Sequence, residues 1–96
     1  MTIYLQPRMK LNFSKAADSD LKFWRKADRK QFAKIAELLH EIAATPFTGR
    51  GKPEPLLGNL SGYWSRRINS KDRIIYRVDE QAEEVFVYSL RKHYGQ

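Results

Sequence analysis

Residues 64–90 read WSRRINSKDRIIYRVDEQAEEVFVYSL, and their apolar positions recur with the period of two that marks a pleated strand. Residues 64–68 predict one strand, Asn69-Ser70-Lys71-Asp72 a turn, and residues 73–78 a second strand. Residues 79–83 turn the chain again, and residues 84–90 predict a third strand. Connections this short imply an antiparallel meander. Alternation puts Arg73, Ile75 and Arg77 on one face of the middle strand and Ile74, Tyr76 and Val78 on the other. Arg66 and Arg67 point opposite ways for the same reason.

Upstream of the meander the period changes. Residues 47–62 are rich in glycine and proline (Gly49, Gly51, Pro53, Pro55, Gly58, Gly62) and predict a loop. Before it, Phe32, Ile35, Ala36, Leu39, Ile42 and Ala43 recur at helical spacing. Asp28 followed by Gln31 resembles a capping box that starts this helix, and Thr45-Pro46 ends it. An earlier helix begins after Ser14, a good N-cap, and carries Ala17, Leu21 and Trp24 inward. Residues 9–13 predict a short first strand. Residues 1–8 are either an extension preceding a single domain of residues 9–96 or, through Ile3, Tyr4 and Leu5, a lengthening of that strand. The predicted order is β-α-α-β-β-β, an α+β fold with a helical hairpin on one face of a twisted, mainly antiparallel sheet.

Ninety-six residues bury roughly 60–65% of the surface of the unfolded chain, which allows one modest core and no deep cofactor cavity. The formal net charge of +7 favours nucleic acid or an acidic partner over a neutral metabolite. With no cysteine, disulfide frameworks and thiolate metal sites are excluded, and a reducing cytoplasm is permitted. No apolar run approaches the roughly 18 residues of a membrane span.

The charge is locally concentrated. Between Gly49 and Arg77, seven cations (Arg50, Lys52, Arg66, Arg67, Lys71, Arg73, Arg77) face only Glu54 and Asp72. Tyr63, Trp64 and Tyr76 are interleaved with them, a mixture suited to gripping RNA through phosphates and stacked bases. Glu54 is braced by Pro53 and Pro55, which hold its backbone extended and its carboxylate in a set direction; the plain alternative is a solvated loop glutamate. His93 lies just past the last strand and can exchange a proton near neutral pH, or simply be a frayed terminal residue. Tyr63 is either a stacking surface or an anchor of its strand, whereas Trp64 and Trp24 read as core. His40, on a helix with Glu37 and Glu41, is a weak metal signal, and no metal or cofactor is implied.

Several of these residues fall in an ordered series: Thr45-Pro46-Phe47, Gly49 with Gly51-Lys52-Pro53-Glu54-Pro55-Leu56, Asn59-Leu60-Ser61-Gly62-Tyr63-Trp64-Ser65-Arg66-Arg67-Ile68, Arg73-Ile74-Ile75-Tyr76 and His93-Tyr94. From about Lys10 to Tyr94 the chain resembles the YoeB/Txe branch of the RelE-type toxins. The resemblance implies a compact RelE-like ribonuclease fold and a metal-independent endoribonuclease that cuts mRNA in the ribosomal A site. It implies Glu54, Arg73, His93 and Tyr94 as catalytic residues. Arg50, Lys52, Arg66 and Arg67 would contact substrate or ribosomal RNA, joined on the residue reading by Tyr63 and Arg77. It further implies a partly disordered YefM/Phd-like antitoxin, the 70S ribosome as the place of action, operator DNA bound through the antitoxin complex, and dimers. The sequence departs from the family at residues 1–8, which precede its usual start, at Asp72, where histidine is common, and at Gly95-Gln96 beyond the usual terminal tyrosine. The competing reading is a non-catalytic RNA- or ribosome-binding module. A DNA-binding repressor ranks below both, because no basic recognition helix is apparent.

Overall fold

Residues 8–91 are described by the computed structural model, so most of the expected N-terminal extension lies outside the described residues, as do His93 and Tyr94. Strand β1 (Lys10–Phe13) leads into helices α1 (Lys15–Ala27) and α2 (Arg29–Ala44). Strands β2 (Glu54–Pro55), β3 (Tyr63–Arg67), β4 (Arg73–Asp79) and β5 (Glu84–Ser89) follow. They form one sheet in the order β1-β5-β4-β3-β2, antiparallel except where β1 runs parallel to β5. The expected order of elements holds, with one addition: part of the expected loop is the two-residue strand β2, and Gly58–Leu60 form a 3₁₀ turn after it.

Local chemistry explains the helical hairpin. The Ser14 hydroxyl accepts from the Ala17 amide (2.9 Å) and donates to the Tyr88 carbonyl (2.6 Å), so one side chain starts α1 and ties it to β5. Asp28 closes α1 through its own amide, which donates to the Trp24 carbonyl, and opens α2 through its carboxylate, which accepts from the Gln31 amide (3.1 Å). A single residue therefore makes the corner.

The core lies between the helices and one sheet face. Ala17, Trp24, Ile35, Leu38, Leu39 and Ile42 meet Ile68, Ile74, Tyr76, Val85, Val87 and Leu90, all buried. The stripe of α2 is rotated from the expected one: Ala36 is exposed and Leu38 is buried, because positions 35, 38, 39 and 42 subtend the sheet. Strict alternation would set Leu90 on the face of Phe86, opposite Val85 and Val87. A bulge corrects this: Tyr76 pairs with Val87 but Ile75 pairs with Ser89, leaving Tyr88 as the extra residue. The phase of β5 shifts by one, and Leu90 enters the core.

Helix α1 also fixes where the chain leaves β5. The Leu90 amide donates to Asp20 Oδ2 (2.9 Å), and Trp24 Nε1 donates to the Leu90 carbonyl (2.9 Å). Trp24 is thus core and anchor at once.

Asp28→Ala removes the N-cap of α2. Stability should fall by about 1 kcal/mol, read as a lower urea midpoint with an unchanged m-value.

Candidate nucleic-acid interface

The helices cover one face of the sheet, and the other carries the candidate site. Register decides what lies there. Glu54 pairs with Ser65, Ser65 with Ile75, and Ile75 with Ser89, so these four side chains form a row across β2, β3, β4 and β5. Arg67 opposite Arg73 flanks the row on one side, and Tyr63 opposite Arg77 flanks it on the other. The Arg77 guanidinium lies over the rings of Phe86 (5.2 Å to the centroid) and Tyr63 (5.8 Å). Tyr88, displaced by the bulge, brings its ring to 5.7 Å from that of Tyr63. Tyr63 therefore sits on the aromatic, cationic face rather than in the core. Trp64 faces the helices, half-buried against the core and 4.9 Å from the Phe47 ring.

Glu54 is exposed at the edge of the sheet. Pro55 is tolerated there because an edge strand does not need every N–H. The ladder continues on both sides, with the Arg67 amide donating to the Gly51 carbonyl (2.7 Å) and the Leu56 amide to the Tyr63 carbonyl (2.8 Å). Between these bonds Lys52 holds a positive φ of 49°, a conformation that costs a lysine about 1–2 kcal/mol. Gly51, at φ 84°, has no room for a side chain: a Cβ would lie 3.0 Å from the Arg67 carbonyl oxygen. The segment before Glu54 is thus a strained loop sewn to β3.

Arg73 is half-buried, and its Nη1 donates to the Asn69 (2.9 Å) and Asp72 (3.2 Å) carbonyls of the preceding turn. That turn is shaped by Asn69, whose Oδ1 accepts from the amides of Lys71 and Asp72 (2.8 Å each). The guanidinium of Arg73 is therefore held in place by its own turn.

Arg66 corrects the expected set of RNA contacts. It is fully buried on the helix side of β3, and none of its surface meets solvent. Its Nη2 donates to the carbonyls of Thr45 and Thr48 (2.6 Å each). Its Nη1 donates to the Arg50 carbonyl (3.2 Å) and to Glu41 Oε1 (3.3 Å), and its Nε to the Tyr76 hydroxyl (3.2 Å). Tyr76 in turn donates to the Pro46 carbonyl (2.7 Å). Burial pushes the Tyr76 hydroxyl pKa up, which keeps that donor protonated. The sequence held a signal for this: Arg66 lies between Trp64 and Ile68 on one strand face, so it had to point where they point.

Arg50 is exposed but engaged. Its Nε pairs with Glu41 Oε2 (3.0 Å), its Nη1 with Glu37 Oε1 (3.4 Å), and its amide donates to Glu41 Oε1. The Arg50 amide, opposed by some desolvation and aided by the guanidinia of Arg50 and Arg66, lowers the Glu41 carboxyl pKa. Of the other expected RNA contacts, Lys52, Arg67 and Arg77 are also exposed. His40 meets the Arg8 guanidinium at its Nδ1, and no cluster of three metal-ligating side chains occurs among the described residues.

A family model described as the YoeB-like toxin of bacterial type II toxin–antitoxin systems matches residues 13–94. The chain belongs to this family. "Toxin YoeB" of Mycobacterium bovis is 49% identical over 84 residues, which span 88% of this chain and 96% of that one. Among solved structures, the "YoeB/ParE toxin" of Agrobacterium tumefaciens superposes with a TM-score of 0.85 at 42% identity, over 90% of this chain and all of that one. A YoeB dimer from Staphylococcus aureus gives 0.81 at 41% identity, and the heterotetrameric YoeB–YefM complex from that organism gives 0.80 at 41%. Each covers 91% of this chain and 99% of the other. The chain is thus the toxin of a toxin–antitoxin pair, and no helix among its described residues is long and apolar enough to cross a membrane.

Arg66→Met should cost about 3–5 kcal/mol of stability by denaturant titration, because it strands a carboxylate and several carbonyls. Arg66→Lys should recover little of this, since a lysine cannot span the same acceptors. The depressed Glu41 pKa makes its contribution fully present above the ordinary glutamate range of about 4.3, to be lost as pH falls through the lowered value. Glu41→Gln should therefore blunt the fall in urea midpoint on acidification from about pH 6 to about pH 3.

Proposed function

We propose that the chain is an endoribonuclease that cuts mRNA in the ribosomal A site and so arrests translation. The observation that carries this reading is the placement of Glu54, Arg67, Arg73 and Arg77 on one sheet face, with the acid in the middle row and cations on both sides. RNA supplies its own nucleophile, the 2′-hydroxyl. Glu54 takes that proton as general base, the oxygen attacks phosphorus, and the 5′-oxygen leaves. Arg73, steadied by the turn carbonyls, offsets the charge that develops on the phosphorane. His93 returns a proton to the leaving oxygen, and Tyr94 orients the phosphate or a base. The products are a 2′,3′-cyclic phosphate and a 5′-hydroxyl, and no step calls on a metal. The ribosome contributes by holding the message in line for attack.

The same reading assigns the partners. A YefM/Phd-like, partly disordered antitoxin holds the enzyme silent and carries the complex to operator DNA. The toxin also pairs with itself, and it acts in the cytoplasm on the 70S ribosome. The S. aureus complex and dimer support the protein partners, being relatives that share most of this chain's length.

Added to a translating extract, the wild-type chain should create new 5′ ends within the message, with cyclic phosphate on the upstream fragments. Glu54→Gln should lower that cleavage about 10²–10⁴-fold with an unchanged melting temperature. Equal cleavage by both proteins would remove the general base. Ribosome binding without any cyclic phosphate would instead make the chain a binding module.

A further inference from the structure

Beyond Arg67 the chain leaves the sheet and folds back over α2. Between this turn and the helix lies a cleft of about 420 Å³, within the range of about 300–1,000 Å³ that holds small ligands. Its walls come from three separate elements: Lys34 from α2, Arg50 and Gly51 from the loop, and Arg67 with Asn69 and Ser70 from the end of β3 and its turn. Three cations line it and no carboxylate does. Their availability differs. Arg50 is balanced by Glu37 and Glu41. Lys34 donates one N–H to the Ile68 carbonyl (2.5 Å), which fixes its ammonium at the wall and leaves two of its three donors for another acceptor. Arg67 is exposed, and it is shared: it borders the cleft and also stands opposite Arg73 beside the Glu54 row.

We propose that this cleft is a second phosphate subsite, in which Lys34 and Arg67 hold a backbone phosphodiester of the RNA strand whose scissile phosphate lies at Glu54 and Arg73. The inference rests on the nuclease reading for the identity of the strand, while its chemistry, an RNA phosphate between two cations, stands on the cleft itself. A strand leaving the open face past Arg67 runs over the end of β3 and into the cleft. Lys34 thereby gains a role that its place on a core-packing helix does not announce.

The test is binding of a single-stranded oligoribonucleotide to the full chain carrying Glu54→Gln, titrated over a range of salt. Each phosphate neutralised contributes about 0.7 to the slope of log K against log salt. Adding Lys34→Gln should lower the slope by about 0.7, and Lys34→Arg should restore it. Lys30→Gln, the same charge change on an exposed position of α2 outside the cleft, should leave it unaltered. Equal slopes for Lys34→Gln and Lys30→Gln would overturn the subsite, even if Lys34→Gln lowers the melting temperature by freeing the Ile68 carbonyl. An effect seen on intact ribosomes and not on the oligonucleotide would assign the phosphate to ribosomal RNA and overturn the message assignment. The two readings fail separately: a lowered slope with no new 5′ ends in the extract keeps the subsite and removes the nuclease.

Discussion

The buried guanidinium of Arg66 is the constraint on which the rest of the structure turns. Helix α2 ends at Ala44 with its last carbonyls short of partners, and the chain must then double back to reach β3. Arg66 reaches up from β3 into that bend and collects the carbonyls of Thr45, Thr48 and Arg50, while Tyr76 beside it takes that of Pro46. A cation is well placed there, because a helix C-terminus carries partial negative charge. Burying a lone cation would be prohibitive. Glu41 on α2 supplies the counter-charge, and five hydrogen bonds satisfy all three guanidinium nitrogens. Helix, loop and sheet are thereby locked at a single point.

The lock has a consequence for Glu54. Gly49 packs directly on it: a Cβ there would meet Glu41 Oε1 at 2.0 Å and Arg66 Nη1 at 3.0 Å. The chain then crosses the strained Lys52, and Pro53 and Pro55 remove the remaining freedom. Strain of this kind persists only where the surroundings over-determine it. Here the determinants are the Arg66 network on one side and the ladder to β3 on the other. Glu54 is held by backbone constraint, and its side chain stays exposed.

Features written in contiguous residues were legible in the sequence. Ser14 and Asp28 cap their helices because a cap needs only an amide two or three residues away, and the meander follows from short turns. The direction of Arg73 and Arg77 followed from the pleat. What was not legible depends on partners distant along the chain. The two-residue strand β2 exists only because β3 offers it a ladder, so the segment reads as loop. The bulge at Tyr88 adds one residue to a regular alternation, and nothing in the composition of β5 announces it. Arg66 was misread as a substrate contact because a cation in a basic stretch reads as surface, although its strand neighbours pointed inward. The part of the site assigned to His93 and Tyr94 lies outside the described residues.

The charge of the molecule is also less uniform than its total of +7 suggests. Among the cations of the central stretch, Arg66 is spent inside the fold, Arg50 on two carboxylates of α2, and part of Arg73 on its own turn. Lys52, Arg67, Lys71 and Arg77 remain exposed, and of these Arg67 and Arg77 lie on the open face of the sheet. Positive potential is thus directed by the removal of cations elsewhere as much as by their placement here. The same logic governs the C-terminal segment. Asp20 and Trp24 on α1 hold both backbone groups of Leu90, and the Arg91 guanidinium lies 3.6 Å from the centroid of the Phe23 ring. Helix α1, which contributes no group to the proposed chemistry, therefore fixes where the described chain leaves β5.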